Sequence, residues 1–251
     1  MLLSKWIGGY IIKYKKIFCL GFIFSFLFVL ISFHILKVNN IQVDKIEVAN
    51  SVKDKVHISH YDNKDINSLR LEYNNSDIIG YISIPNVIST PVVKNKDNEY
   101  YMYKNLYKKT DKLGSPFMDY RVNKDDRKMI IYGHNSSKYN APFSNLEKYY
   151  NEDFYENNKY IYLNYENEVI KYEIFSVFIE TSDWFYTKIN FKNDIEWFNH
   201  INNLKDKSWY KTDVLLNESD KILILQTCSN LDSYKEYENK YLLIVAKKMN
   251  N

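Results

Sequence analysis

Two periodicities divide this chain. From Ile78 onward apolar and polar positions alternate with a period near two, and turn residues interrupt them at short intervals. "IIGYISIPNVISTPVVK" (78–94) carries Pro85 and Pro91 and predicts two short strands joined by a turn. "MIIYG" (129–133), "YIYLNY" (160–165) and "EVIKYEIFSVFIET" (168–181) predict further strands, and in the last of these Ile170, Tyr172 and Ile174 alternate with Lys171 and Glu173. "KILILQTC" (221–228) and "YLLIVAKK" (241–248) are apolar on both faces, the pattern of central strands covered on each side. Helical signals are fewer. Ser144 with Glu147 three residues on has the form of a capping box opening a short helix. Asn193 with Glu196 repeats that form ahead of Ile195, Phe198, Ile201 and Leu204, an apolar stripe at helical spacing. His200, among polar neighbours of that helix, is expected to be solvated. The pattern predicts a mostly β, barrel-like domain with a helix inserted before its last two strands.

A different pattern precedes the strands. "IFCLGFIFSFLFVLISFHIL" (17–36) has no formal charge and is long enough to span a hydrocarbon core of roughly 30 Å as a helix. Lys5, Lys13, Lys15 and Lys16 lie before it, so the positive-inside rule places residues 1–16 in the cytoplasm and everything after Leu36 outside. No small-x-small cleavage site follows in "KVNNIQVDK", which favours an uncleaved anchor over a signal peptide. Residues 37–77 are polar with scattered apolar positions. They read as a stalk with a short helix over 65–73, ahead of a folded domain at 78–251.

Composition adds limits. Of 251 residues, 45% are hydrophobic and 26% charged, enough apolar material for a real core. The net charge of +3, with no basic stripe, gives no ground for nucleic-acid binding. Lysine dominates the cations: the arginines are Arg70, Arg121 and Arg127, all upstream of Cys228.

Cysteine placement brings in chemistry. Cys19 falls in the expected anchor, which leaves Cys228 as the only cysteine of the exported part, and an odd exported cysteine points to a reactive thiol or an intermolecular bond. Of the histidines outside the anchor, His57 and His60 lie in the stalk without metal-ligand spacing. His134 follows strand "MIIYG" directly, at the Gly133 turn, and Cys228 ends its own strand in the same way. A thiol becomes a good nucleophile when a cationic partner stabilises the thiolate, and an imidazole can then protonate a leaving amine. The pair suits acyl transfer, in the chain order histidine then cysteine.

The residues around the pair resemble the sortases, membrane-anchored cysteine transpeptidases of Gram-positive bacteria. "ILQTC" (224–228) is similar to their Thr-Leu-x-Thr-Cys signature, with Ile224 in place of the first threonine. "GYISIPNVISTPVV", "DNEYY", "GSPFMDYR" and "IIYGHN", with the inserted helix after "TSDWFYTKINF", resemble class B segments in the same order from Ile78 to Lys248. The resemblance implies an eight-stranded sortase β-barrel, no cofactor or metal, and a Cys228 thioacyl intermediate with His134 as proton donor. It also implies secreted surface proteins with an Asn-Pro-x-Thr type sorting signal as substrates and a cell-wall precursor amine as acceptor. One departure stands out. The family places an arginine at the start of the last strand, and "ENKYLLIVAKK" has Tyr241 there, beside Lys240. Lys240 is the expected substitute, with the Tyr241 hydroxyl or backbone N–H groups as the alternatives, since a lysine is a point charge without the forked donors of a guanidinium. The missing arginine leaves a second reading open, a sortase-fold binding module with little turnover. A third is an enzyme of the same fold that polymerises pilins, with a protein lysine as acceptor.

Overall fold

The computed structural model describes residues 64–249, apart from Asn167, Ser182 and Asp183. The expected cytoplasmic segment, anchor and most of the stalk lie outside the described residues.

A short helix, α1 (Ile66–Tyr73), opens the described chain, with Asp65 as its N-cap accepting from the Ser68 amide. Its buried residues Ile66 and Leu69 pack with Ile78, Val93, Tyr101 and Phe117 against one side of the barrel. Eight strands follow: β1 (Ile78–Ile84), β2 (Ile88–Val93), β3 (Phe117–Met118), β4 (Lys128–Tyr132), β5 (Tyr160–Tyr165), β6 (Glu168–Glu180), β7 (Ile222–Cys228) and β8 (Tyr241–Lys248). They close in the order β1-β2-β3-β4-β7-β8-β6-β5, with β5 returning to β1. Two pairings, β2–β3 and β4–β7, are parallel and the others antiparallel. Closure removes the open edges that would otherwise invite pairing with other chains.

Local chemistry explains the joints. The β1–β2 turn is Pro85-Asn86, where Asn86 takes a left-handed φ of 62° and the Val87 amide bonds the Ile84 carbonyl at 2.9 Å. Pro favours the second and Asn the third position of such a turn. The two-faced apolar strands are covered twice, as their sequence predicts. Leu223 and Leu225 of β7, with Leu242, Ile244 and Ala246 of β8, fill the barrel interior. Ile222 and Ile224, with Leu243 and Val245, point outward beneath a helix, α3 (Asp194–Asp206).

Three expectations are corrected. Ser144 does not cap a helix: residues Ser144–Tyr150 form a 3-10 helix whose N-cap is Phe143, the Ser144 hydroxyl accepts from the Ser136 amide, and Glu147 bonds elsewhere. A second short helix, α2 (Glu152–Asn157), follows and has its own cap, with Asn151 accepting from Phe154. In α3, Asn193 caps as expected, but the buried stripe is Trp197, His200, Ile201 and Leu204 while Ile195 is 68% exposed. His200 is therefore buried, because Trp197 turns the packed face of the helix toward it. Its Nε2 lies 3.1 Å from Nζ of Lys128, itself buried at the start of β4 and donating to the Tyr186 carbonyl at 2.7 Å. Among the described residues its hydrogen-bond partners are this carbonyl and the imidazole, with no carboxylate. Burial, helped by the charge of Arg121, lowers Lys128 to about 7. Burial and then the Lys128 charge lower His200 to about 3.

Candidate active site

The parallel β4–β7 pairing brings the two reactive residues to one place. Tyr132 is registered with Gln226, and the ladder continues past the strand ends, where the Gly133 amide donates to the Gln226 carbonyl at 3.1 Å. Two further residues along each strand lie His134 and Cys228. Side chains fasten this end: Thr227 Oγ1 donates to the Gly133 carbonyl at 2.7 Å, and Asn135 Nδ2 donates to the Cys228 carbonyl at 2.8 Å. Both residues thus sit at the carboxyl ends of adjacent parallel strands, where open α/β sheets also place their ligands.

Gly133 is needed here for packing. A Cβ on it would meet the Phe143 ring at 2.6 Å, and Phe143 is fully buried. The Phe143 amide in turn donates to the His134 carbonyl at 3.2 Å, so the histidine turn is held against the core. His134 Nε2 lies 2.9 Å from the Met102 carbonyl. A carbonyl can only accept, so Nε2 carries the proton in that bond. The Tyr103 ring stands 6.5 Å from the imidazole. The segment "DNEYYMY" thereby orients the histidine through its backbone, a role its side-chain pattern could not announce.

Cys228 is exposed, and its thiol is free. Burial of its surroundings pushes the thiol pKa above its ordinary value, and the charge of Lys240 pulls it back down. Across the β7–β8 ladder the partner of Cys228 is Tyr241. The Lys240 carbonyl accepts the Ser229 amide at 2.8 Å. Tyr241 donates its hydroxyl to Asn239 at 3.2 Å, and its ring packs 5.1 Å from that of Trp184, which stacks on Tyr186 at 6.0 Å. Tyr186 reaches back to β7 by donating to Gln226 Oε1 at 3.0 Å. The wall beside the thiol is therefore aromatic, with one lysine at its edge.

The arginines are all engaged elsewhere. Arg121 makes a forked pair with buried Asp119, which also accepts from the Tyr132 hydroxyl. Arg127 pairs with Asp194, and Arg70 bonds the Ile78 carbonyl and Asn67. No arginine is brought to Cys228 from another part of the described fold. Among the described residues no group of three or more His, Cys, Asp or Glu is arranged to hold a metal ion.

A thiol at the mouth of a closed mixed barrel, on a strand paired in parallel with the strand that leads to a histidine, has the architecture of a cysteine acyltransferase. Comparison with known proteins gives the family. The sortase domain matches residues 82–249. Sortase B of Listeria monocytogenes is 33% identical over 178 residues, covering 69% of this chain and 70% of that protein. Among solved structures, sortase B of Clostridium perfringens has a TM-score of 0.66 at 31% identity, covering 73% of this chain and 99% of that one. A Staphylococcus aureus sortase B–substrate complex has a TM-score of 0.66 at 30% identity, covering 74% of this chain and 84% of that one. The chain belongs to the sortase family, with sortase B relatives, and is a cysteine transpeptidase.

Proposed function

We propose that the protein is an anchored transpeptidase acting on the outer face of the membrane, with Cys228 as nucleophile. Cys228 Sγ attacks the threonine carbonyl of an Asn-Pro-x-Thr type sorting signal, and the C–N bond from that carbonyl to the next residue breaks. His134 gives its proton to the departing amine. A cell-wall precursor amine then attacks the thioester, releases the thiol and forms the new amide. The juxtaposition of Cys228 with the His134 turn, through Thr227–Gly133 and Asn135–Cys228, carries this reading. A sortase B–substrate complex of the S. aureus relative, similar over most of the chain, supports the binding of a sorting-signal substrate.

Lys240 takes the positive role of the missing arginine in this proposal, since its charge opposes the rise in the Cys228 pKa. The anchor at 17–36 holds the enzyme where secreted substrates and a lipid-linked acceptor meet. The deciding experiment incubates the protein with a sorting-signal peptide and examines Cys228 by intact mass spectrometry. An adduct with the mass of the acyl fragment is expected. Binding of the peptide without an adduct would instead establish a binding module.

A further inference from the structure

The connection between β4 and β5 contributes more than His134. It also grips the chain just beyond the nucleophile. Glu147 Oε1 accepts the Asn230 amide at 2.7 Å and the Tyr150 hydroxyl at 3.1 Å. Tyr150, almost wholly buried, lies 2.7 Å from Oγ of the equally buried Ser229, and that oxygen accepts the Leu231 amide at 3.1 Å. Because the Tyr150 proton goes to the carboxylate, Ser229 must donate to Tyr150. The bonds then run one way, from Ser229 through Tyr150 to Glu147. Burial, with the Glu147 charge, keeps the Tyr150 pKa well above its ordinary value, so the phenol stays a donor.

The three amides after Cys228 are therefore all occupied: Ser229 by the Lys240 carbonyl, Asn230 by Glu147 and Leu231 by the Ser229 hydroxyl. A loop that leaves a strand end at the surface is ordinarily free to adjust. This one is tied at each residue, and the Asn230 amide is held by a side chain from the β4–β5 connection, Glu147.

We propose that Glu147 is a positioning residue for the Cys228 nucleophile, fixing the backbone just after it while Asn135 holds the Cys228 carbonyl from the histidine side. This rests on Cys228 being the nucleophile. The brace needs an acceptor at Oε1 and not a negative charge as such, so glutamine should serve and alanine should not.

The test uses the full chain with Glu147→Gln and Glu147→Ala, two readouts and a melting curve. One readout is the rate of Cys228 alkylation by iodoacetamide across pH, which needs no substrate. The other is kcat and KM for a sorting-signal peptide. Glu147→Gln should stay within about twofold of the parent, the scale of surface changes that leave a hydrogen bond in place. Glu147→Ala should lose about tenfold to a hundredfold in kcat with KM little changed, as expected when reacting atoms shift by up to an ångström. Its alkylation should become faster at a given pH, because a loosened loop lets water further around the thiol and relieves the desolvation that raises its pKa. The melting curve gives the folded fraction at the assay temperature. A kcat loss larger than that fraction allows, with alkylation in a single phase, separates positioning from partial unfolding, which would lower kcat only in proportion to the folded fraction. The proposal is overturned if alanine leaves both rates unchanged, if glutamine is as damaging as alanine, or if the loss follows only the folded fraction. A parent protein that alkylates normally but turns over no peptide would sink the transpeptidase reading, and the alkylation comparison would still decide the brace.

Discussion

Cys228 and Tyr241 are direct partners across the β7–β8 ladder. Residues opposite one another in an antiparallel pair project to the same face with Cβ atoms about 4.5–5.5 Å apart, so the tyrosine ring stands beside the thiol. The position that in this family holds a forked cation is filled by an aromatic wall of Tyr241, Trp184 and Tyr186. Positive charge reaches the thiol from Lys240, the residue before the strand.

Lys240→Ala should therefore raise the thiol pKa further, because a charge that opposes the effect of burial is removed. Alkylation of Cys228 should shift to higher pH, and kcat/KM should fall by about 2.7–4 kcal/mol, the scale of one lost oxyanion donor. Lys240→Arg should keep or raise activity, and Tyr241→Phe should cost less than Lys240→Ala. Were the order of the last two reversed, the Tyr241 hydroxyl would be the donor and the lysine assignment would fall.

Cys228→Ala should abolish peptide cleavage and adduct formation, since the described residues hold no other cysteine. His134→Ala should lower kcat by roughly 10²–10⁴-fold, the contribution of a positioned acid–base group. Both variants should keep the parent melting temperature within a few degrees, because neither side chain fills the core. Cleavage at the parent rate by the Cys228 variant would refute the mechanism.

Gly133→Ala places a methyl group where the Phe143 ring already is. Overpacking of this kind costs about 1–3 kcal/mol. Phe143 is bonded to the His134 carbonyl, so the strain moves the histidine turn. Thermal unfolding should come earlier, and kcat should fall more than KM rises. A variant with normal melting and normal kcat would show that the turn absorbs the methyl group freely.

Stability should rise with pH above neutrality. An unfolded lysine keeps its proton to about 10.5, whereas Lys128 in the fold releases it at about 7. Between these values the unfolded chain binds more protons, so the cost of burying the cation is fully present below pH 7 and is relieved as pH climbs toward 10. His200, lowered from 6.5 to about 3, adds a penalty of the same sign as the medium becomes acidic. The melting temperature should be higher at pH 9 than at pH 6, and Lys128→Met should flatten that slope even where it lowers the absolute value. Equal slopes in parent and variant would mean that Lys128 does not carry the dependence.

What the sequence determines by itself is what periodicity and turn chemistry express locally. The hairpin through Pro85-Asn86, the strand at 160–165 and the two-faced strands that became β7 and β8 are legible because each residue's burial follows from its own pattern. The reactive pair is legible for a similar reason: Gly133-His134 and Thr227-Cys228 are strand-end signals in otherwise apolar runs. Tertiary structure decided what depends on partners far along the chain. The parallel registration of β4 with β7 joins residues 94 positions apart, and no local pattern encodes it. Strand β3, only Phe117–Met118, is too short to show a period. Glu147 has the spacing of a helix cap, yet the Asn230 amide, 83 residues away, supplies its bond. His200 looks solvated from its polar neighbours, and it is buried with Trp197 on the face of α3 that meets the barrel, against Lys128. Polar side chains accept whichever donor the fold brings near, so their roles were settled only once the barrel had closed.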